Sequence, residues 1–413
     1  MNQDEAERYL LSLELFGMRF GLDRMRRLMT ALGHPERQFE SIHVVGTNGK
    51  SSTVRMIAAI LSHHGLRTGA YLSPHLLSFG ERIRVEDSDL GPDEFGAAVG
   101  RAAHAAALVD RSAAPDDRVT QFEALTAAAY SELARRDVEV AVVEAGLGGR
   151  FDATNVIPSK VQVLTSVGLE HTRWLGPTLA DIAGEKLDVV QDGATLVLGH
   201  GLDAGVERIA ERVAGERDAR IVHAGLDPGV AVGAPGMFQR RNFALARAAA
   251  EAYLGRLDER AVAAAAAEVR VPGRLQPVAE SPLTLLDGAH NPDGMLALAE
   301  SLPELVRGHD RVVAVISILD DKDAAGMLAI LLPACDAIVL TSSQNPRALP
   351  PPTLHSLATQ LGGPPSEIVP VPERALERAR GLAGPGGVVI ATGSIYLIAD
   401  LLAPAGRKRA SIL

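Results

Sequence analysis

Short apolar runs rich in Val, Ile and Leu alternate along this 413-residue chain with longer segments in which apolar residues recur every three or four positions. The first pattern predicts strands and the second predicts helices. Their alternation indicates an α/β protein with a largely parallel sheet. The predicted strands are Ile42–Val45, Val138–Glu144, Val161–Val167, Thr195–Leu198, Leu283–Asp287, Val312–Ile316, Ala337–Thr341, Glu367–Val371 and Val388–Ala391. The predicted helices include Ser52–His64, Phe122–Arg135, Leu179–Val190, Arg241–Leu254, Glu259–Val269, Ala324–Leu332 and Pro372–Leu382.

The stretch Val271–Pro282 separates two blocks of strands and helices. It carries three prolines and a glycine, which are typical of a connection between domains. We therefore place an N-terminal domain at residues 1–280 and a C-terminal domain at residues 281–413. A second proline-rich stretch, Pro346–Pro352, is predicted to be a surface loop.

Composition narrows the class of protein. Hydrophobic residues make up 47% of the chain and charged residues 22%, as in an ordinary soluble protein. The net charge of −10 disfavours nonspecific binding to nucleic acid or to an anionic membrane. Cys335 is the only cysteine, which excludes an intrachain disulfide and a cysteine zinc site. The polar start has no signal-peptide pattern and no apolar run is long enough to span a membrane, so we expect a cytoplasmic protein.

A glycine-rich turn, Gly46-Thr47-Asn48-Gly49-Lys50-Ser51, joins a predicted strand to a helical pattern. We call it the phosphate loop. Backbone N–H groups at a helix start have no intrahelical partner and lie at the positive end of the helix dipole, so they bind anions. The lysine adds a positive charge and the serine hydroxyl suits Mg²⁺. The turn predicts a nucleotide phosphate site, although Val44 stands where the general pattern has a glycine. An ordinary strand–helix connection is the alternative.

Three other predicted strands lead into polar groups. Glu144 ends one strand, Asp287 ends another, and His171 follows a third. Ligands collect at the carboxyl ends of strands in open α/β sheets, so Glu144 is placed to hold a phosphate-bound Mg²⁺ beside the phosphate loop. Plainer interpretations are a solvated acid for Glu144, an ordinary histidine for His171 and a helix start capped by Asn291 after Asp287. Lys186, on a predicted helix, is by itself a solvated lysine.

Nine segments occur in a fixed order along the chain: Gly46–Ser51, Leu72–Leu76, Glu81–Ile83, Gln121–Glu123, Glu144–Arg150, Asp152–Asn155, Glu170–His171, Pro272–Gln276 and Asp287–Pro292. Together they resemble the folylpolyglutamate synthases, whose bacterial members often also have dihydrofolate synthase activity, and which belong with the Mur ligases. The resemblance begins near Leu13 and runs to Ser394, so it covers nearly the whole chain. It implies an N-terminal P-loop ATPase domain with a mainly parallel sheet and a smaller Rossmann-like α/β C-terminal domain for glutamate ligation.

The resemblance also implies roles for particular residues. ATP would be bound by Thr47, Asn48, Gly49, Lys50, Ser51, Ser52, Asn242, Arg274, Asp287 and His290. One Mg²⁺ would be held by Ser51, Ser73 and Glu144, and a second by His171. The substrate would be contacted by Arg82, Phe122, Asp152 and Asp323. The catalytic residues would be Lys50, His171 and Lys186. The last of these matches a lysine that is carbamylated in many members, where the carbamate would help to hold the second metal ion.

Two positions depart from the family pattern. Glu170 stands where the family usually has Asp, which alters the geometry expected around His171. After Glu185-Lys186 the family usually continues Ala-Gly-Ile, whereas this chain has Leu187-Asp188-Val189. The lysine is kept while its packing differs, which bears on its carbamylation.

The implied reaction is ATP-dependent amide formation. A folate carboxylate attacks the γ-phosphate to form an acyl phosphate, and the amine of L-glutamate then displaces phosphate. The expected partners are ATP, two Mg²⁺, L-glutamate and a folate or dihydropteroate. We expect a monomer that binds neither nucleic acid nor membrane. The alternatives are another Mur-type amino-acid ligase acting on a cell-wall precursor and a non-catalytic nucleotide switch.

Overall fold

The computed structural model describes residues 1–14, 21–114 and 117–403. Contacts between Cα atoms divide them into two compact units. Among the described residues, unit 1 contains Met1–Gly233 and Arg241–Val269, and unit 2 contains Ala234–Arg240 and residues 270–403. The domain boundary after residue 280 stays a prediction.

Unit 1 is built on one eight-stranded sheet. Its strands are β1 (Glu40–Val45), β2 (Thr68–Tyr71), β3 (Ile83–Val85), β4 (Ser88–Asp89), β5 (Val140–Glu144), β6 (Val161–Leu164), β7 (Thr195–Leu198) and β8 (Arg220–His223). They lie in the order β4-β3-β2-β5-β1-β6-β7-β8. The pairs β2–β3 and β3–β4 are antiparallel, and the other neighbours are parallel. The central strand β5 is buried throughout, as expected for a parallel strand covered on both faces.

The helices of unit 1 lie before, between and after its strands along the chain. They are α1 (Gln3–Ser12), α2 (Asp23–Ala31), α3 (Lys50–His63), α4 (Pro92–Asp110), α5 (Gln121–Arg135), α6 (Thr172–Leu175), α7 (Leu179–Leu187), α8 (Ala204–Glu216), α9 (Met237–Leu254) and α10 (Glu259–Glu268). The first residues of α9 belong to unit 2. Side-chain caps begin several of these helices; the Thr178 hydroxyl, for example, accepts from the Asp181 N–H at the start of α7.

Polar contacts connect the carboxyl end of α3 to α10 and to the residue before it. The Asp258 N–H donates to His64 Nε2 at 2.8 Å. His63 Nε2 lies 3.2 Å from Glu268 Oε2. Helix α3 is therefore fixed at the end opposite to the phosphate loop as well as at its start.

Unit 2 is built on a six-stranded sheet. Its strands are β9 (Gln276–Glu280), β10 (Leu283–Leu286), β11 (Val312–Ile316), β12 (Ala337–Leu340), β13 (Ser366–Ile368) and β14 (Val388–Thr392). They lie in the order β13-β12-β11-β14-β10-β9, with β9 antiparallel to β10 and the other neighbours parallel. Its helices are α11 (Pro292–Leu305), α12 (Ala324–Leu331), α13 (Pro351–Gln360), α14 (Pro372–Ala383) and α15 (Ile395–Leu402). Ala314 and Ile316 of β11 belong to its apolar core with Leu298 and Met327 from the helices.

The two mainly parallel sheets confirm the predicted α/β class. The prediction of a surface loop over Pro346–Pro352 is wrong at its end, because α13 begins at Pro351. Proline is well suited to the first turn of a helix, where its missing N–H removes no intrahelical hydrogen bond. Within the described ranges, no helix is long and apolar enough to cross a membrane.

Candidate active site

The phosphate loop forms a cradle at the carboxyl end of the first sheet. It follows β1, which lies between β5 and β6, and passes directly into α3. Gly46 and Gly49 have φ values of +151° and +86°. A Cβ on Gly46 would lie 1.9 Å from Thr165 Oγ1, and one on Gly49 would lie 2.8 Å from Asn242 Oδ1, so both positions need glycine. Lys50 begins α3 and its Nζ donates to a carbonyl of the loop at 3.2 Å.

The segment after β6 holds the phosphate loop in place. The Thr47 N–H donates to Ser166 O at 2.9 Å, and the Gly168 N–H donates to Thr47 Oγ1 at 3.0 Å. The Asn48 N–H donates to Ser166 Oγ at 2.9 Å. Asn48 O accepts from the hydroxyls of Ser166 at 3.1 Å and Thr165 at 2.6 Å. Neither hydroxyl side chain was predicted to have a role; the only signal in the sequence was their position directly after a strand of the phosphate-loop sheet.

Glu144 ends β5 beside the phosphate loop and is 1% exposed. Its Oε1 accepts from the Ser51 hydroxyl at 3.0 Å, and its Oε2 accepts from the Ser73 N–H at 3.1 Å. Three predicted metal-binding residues therefore come together. Carboxylate and hydroxyl oxygens are ligands that Mg²⁺ prefers, so the Glu144 carboxylate and the Ser51 hydroxyl fit the predicted ion. Ser73 is brought to this position through its N–H. Ser52, the next residue of α3, is buried.

His171, the fourth predicted metal ligand, stands at the start of α6. It is exposed and has a left-handed backbone with φ of 53°. Its carbonyl accepts from the Trp174 N–H at 2.8 Å. Within the part of the chain that the structure describes, no three His, Cys, Asp or Glu side chains are grouped to hold a metal ion. The assignment of His171 to a metal stays a prediction.

Lys186 lies beneath the phosphate loop. It is 4% exposed, and its Nζ donates to Gly46 O at 2.8 Å. The plainer interpretation of a solvated helix lysine is therefore wrong, because α7 packs this side chain into the interior. Burial, reinforced by the positive charge of Lys50, lowers the pKa of Lys186 to about 7, while the carboxylates of Glu170 and Asp152 act in the opposite direction.

Asp152 is buried and supports the turn after β5. One carboxylate oxygen accepts from the Leu147 N–H at 2.8 Å, and the other accepts from the Thr154 N–H at 3.0 Å and from the Thr154 hydroxyl. Burial raises the pKa of Asp152, although these hydrogen bonds favour its charged form. The Thr154 hydroxyl lies 2.9 Å from Nε2 of the buried His43, whose pKa is lowered by burial to about 3. Asp152 thus orients backbone, and its contact with a substrate stays a prediction.

Arg82 and Phe122 are the other two predicted substrate residues of unit 1. Arg82 is buried, donates from Nε to His75 Nδ1 at 2.9 Å and lies over the Phe79 ring at 5.5 Å. Burial and the charge of Arg82 hold the pKa of His75 well below its usual value. Phe122 is half-buried, and a Cβ on Gly146 would lie 2.5 Å from its ring. Its ring therefore packs against the glycine-rich turn.

The nucleotide residues predicted in unit 2 surround the end of β10. Asp287 is buried and accepts from two backbone N–H groups, each at 2.9 Å, and burial raises its pKa. Arg274 lies against Gly288, since a Cβ there would be 2.2 Å from Arg274 Nη1. His290 Nδ1 is 2.8 Å from Gly288 O. Asp287 therefore fixes the backbone next to each of the other two residues, at Leu275 beside Arg274 and at Ala289 beside His290.

Two side chains of unit 2 serve as helix caps. Asp323, predicted to contact the substrate, accepts from the Gly326 N–H at 2.9 Å and begins α12. Asn291 accepts from the Gly294 N–H at 2.8 Å and begins α11, which confirms the capped helix start. Capping accounts for both side chains in this structure.

Comparison with known proteins shows that the chain is similar to folate enzymes. The family described as Mur ligase, glutamate ligase domain, matches residues 273–395. The chain is 36% identical over 388 residues to the dihydrofolate synthase/folylpolyglutamate synthase of Mycobacterium tuberculosis, covering 83% of this chain and 78% of that protein. It is 32% identical over 414 residues to the Bacillus subtilis protein of the same name, covering 94% and 95%.

Solved structures agree with this similarity. Mycobacterium tuberculosis folylpolyglutamate synthase complexed with ADP has a TM-score of 0.89 at 32% identity, covering 98% of this chain and 99% of that chain. E. coli FolC in complex with DHPP and ADP has a TM-score of 0.86 at 29% identity, covering 97% of each chain.

Proposed function

Because the chain belongs to the dihydrofolate synthase/folylpolyglutamate synthase family, we propose that it is an ATP-dependent ligase that adds L-glutamate to a folate. Dihydropteroate is a second acceptor, since both activities occur in the names of the relatives. The alternative of a Mur-type ligase for a cell-wall precursor is not favoured, because these full-length relatives are folate enzymes.

The observation that carries the proposal is the convergence of Ser51, Ser73 and Glu144 on the phosphate loop. A loop for phosphates, a lysine beside it and an oxygen-rich metal position are what phosphoryl transfer to a carboxylate requires. A bound Mg²⁺ would neutralise charge on the transferred phosphoryl group, and a second ion at His171 belongs to the same proposal.

The residues of this chain bind and orient the reactants. Lys50 provides positive charge beside the α3 amino terminus, where the phosphates of ATP would lie. The folate carboxylate attacks the γ-phosphorus and releases ADP. The neutral amine of L-glutamate then attacks the acyl carbon, phosphate leaves, and the amine loses a proton. Water must be excluded during the second step because it would hydrolyse the acyl phosphate.

Lys186 fits a carbamate for a physical reason. Only an uncharged amine attacks CO₂, and a pKa near 7 leaves a large uncharged fraction at neutral pH. The N–C bond forms as the uncharged amine loses one proton, which converts a neutral group into an anion. This supports carbamylation of Lys186, although the packing after it departs from the family pattern.

Other assignments remain part of the proposal. Arg274, Asp287 and His290 are assigned to the nucleotide and Asp323 to the substrate by the family pattern. The domain boundary at residue 280, the monomeric state and the cytoplasmic location are likewise proposed. The single cysteine allows no intrachain disulfide, which fits a reducing compartment.

One assay tests the function. The chain is incubated with ATP, Mg²⁺ and L-glutamate, and with either tetrahydrofolate or dihydropteroate, and the product is identified by mass. We expect addition of glutamate with stoichiometric ADP. A UDP-sugar peptide serves as the competing acceptor, and glutamate transfer to it alone would refute the proposal, as would ATP turnover without any amide product.

A further inference from the structure

Two consecutive peptide groups of the phosphate loop are fixed by one side chain. The Ser166 hydroxyl accepts from the Asn48 N–H at 2.9 Å and donates to Asn48 O at 3.1 Å. The Thr165 hydroxyl donates to the same carbonyl at 2.6 Å. The N–H belongs to the peptide before Asn48 and the carbonyl to the peptide after it. The orientation of both peptides is therefore set just before the turn at Gly49, where φ is +86°.

This arrangement determines which N–H groups can meet a phosphate. Those of Thr47 and Asn48 already donate to Ser166. The N–H groups of the first turn of α3 have no intrahelical partner by the geometry of a helix. A bound phosphate can therefore accept hydrogen bonds from the backbone N–H groups from Gly49 onward. A loop with two glycines would lose conformational entropy on binding, and a loop that is already held loses less.

We propose that Ser166 is a positioning residue for the nucleotide. It holds the phosphate loop in the form that binds phosphates, without touching them, and Thr165 assists from the same strand end. The proposal rests on the proposed function only for its kinetic tests, because nucleotide binding can be measured without any acceptor. The nucleotide site would then include the segment after β6 as well as the phosphate loop.

The test compares Ser166→Ala and Thr165→Val with the wild type for binding of Mg·ADP by calorimetry. Ser166→Ala removes two hydrogen bonds and should weaken binding about tenfold, and Thr165→Val removes one and should weaken it about threefold. Ser166→Thr keeps the hydroxyl and should bind within about threefold of wild type. Ser131→Ala is the matched control, since this half-buried serine on α5 also loses one hydrogen bond, from Arg101.

The kinetic readout separates positioning from a general loss of stability. In Ser166→Ala the KM for ATP should rise about tenfold, while the KM values for glutamate and folate stay within about twofold. The proposal would be overturned if folded Ser166→Ala bound Mg·ADP as tightly as the wild type or more tightly. The Asn48 N–H, freed from Ser166, would then stabilise the bound nucleotide at least as well by donating to phosphate. If the wild type binds Mg·ADP but extends no folate, the proposed function fails while the binding comparison still decides the role of Ser166.

Discussion

Replacing Lys186 by methionine should change how stability depends on pH. Methionine has a similar volume, is uncharged and keeps most of the packing around the buried side chain. The substitution removes the hydrogen bond to Gly46 O at 2.8 Å and the titrating amine together. Its effect on the free energy of unfolding is therefore expected to differ from one pH to the next.

The magnitude follows from the two pKa values of the lysine. Burial lowers the pKa from 10.5 in the unfolded chain to about 7 in the folded one. Between these values the unfolded chain binds a proton on Lys186 that the folded chain lacks, so the folded state gains stability as pH rises. The full window corresponds to about 5 kcal/mol, at about 1.4 kcal/mol for each pH unit. From pH 7.5 to 9.5 the wild type should gain about 3 kcal/mol over Lys186→Met.

Urea unfolding at pH 7.5, 8.5 and 9.5 in CO₂-free buffer measures this difference. Trp174, the only tryptophan, lies in unit 1 with Lys186 and reports its transition. Lys160→Met is the control, because that side chain is 59% exposed and its replacement leaves the buried amine of Lys186 in place. A wild-type advantage that stays constant over the three pH values would refute the argument that burial lowers this pKa.

Three further changes test the loop and its carboxylate. Lys50→Ala should lower kcat at least 100-fold with the fold intact by circular dichroism, and near-normal turnover would remove the lysine from the reaction. Glu144→Gln should raise the Mg²⁺ concentration for half-maximal activity at least about tenfold, so an unchanged Mg²⁺ titration would exclude it as a ligand. Gly46→Ala should abolish ADP binding because its Cβ would lie 1.9 Å from Thr165 Oγ1, whereas Gly65→Ala, with open space around it, should only lower stability by about 1 kcal/mol. Comparable calorimetric and thermal-melting results for these two glycines would show that the contact is unimportant.

Most buried strands were predictable because they are continuous apolar runs. β7 and β11 have the predicted limits, Thr195–Leu198 and Val312–Ile316. Five strands were not predicted. β8 and β9 have half-buried or exposed residues and form no such run. β2, β3 and β4 are only two to four residues long and include polar residues or a glycine. Their position comes from pairing with a neighbouring strand, which is a tertiary effect that local periodicity does not contain. Helix α3 begins at Lys50 rather than at Ser52, since the turn at Gly49 starts it earlier.

Within the site, residues at a strand end or in the turn just after one were more predictable than Lys186, which lies within a helix. Ser51 and Glu144 were expected near one ion and are joined by a hydrogen bond of 3.0 Å, because adjacent parallel strands end at one edge of the sheet. The burial of Lys186 depends on how α7 packs, and a charged residue on a helix gives no sign of that. Asp287 satisfies backbone groups with both oxygens, a structural use that a motif cannot distinguish from contact with a ligand.

Helix α3 is held at both ends, so it connects the phosphate loop to the start of α10 within unit 1. The helix has 14 residues and is about 21 Å long, with the phosphate loop at one end and His64 bound to the Asp258 N–H at the other. A ligand that reduces local opening at the amino terminus of α3 would also reduce opening at its carboxyl end, because both ends belong to one continuous hydrogen-bonded helix. Amide hydrogen exchange around Asp258 would thus respond to nucleotide, and the start of α10 becomes a remote reporter of an occupied phosphate loop.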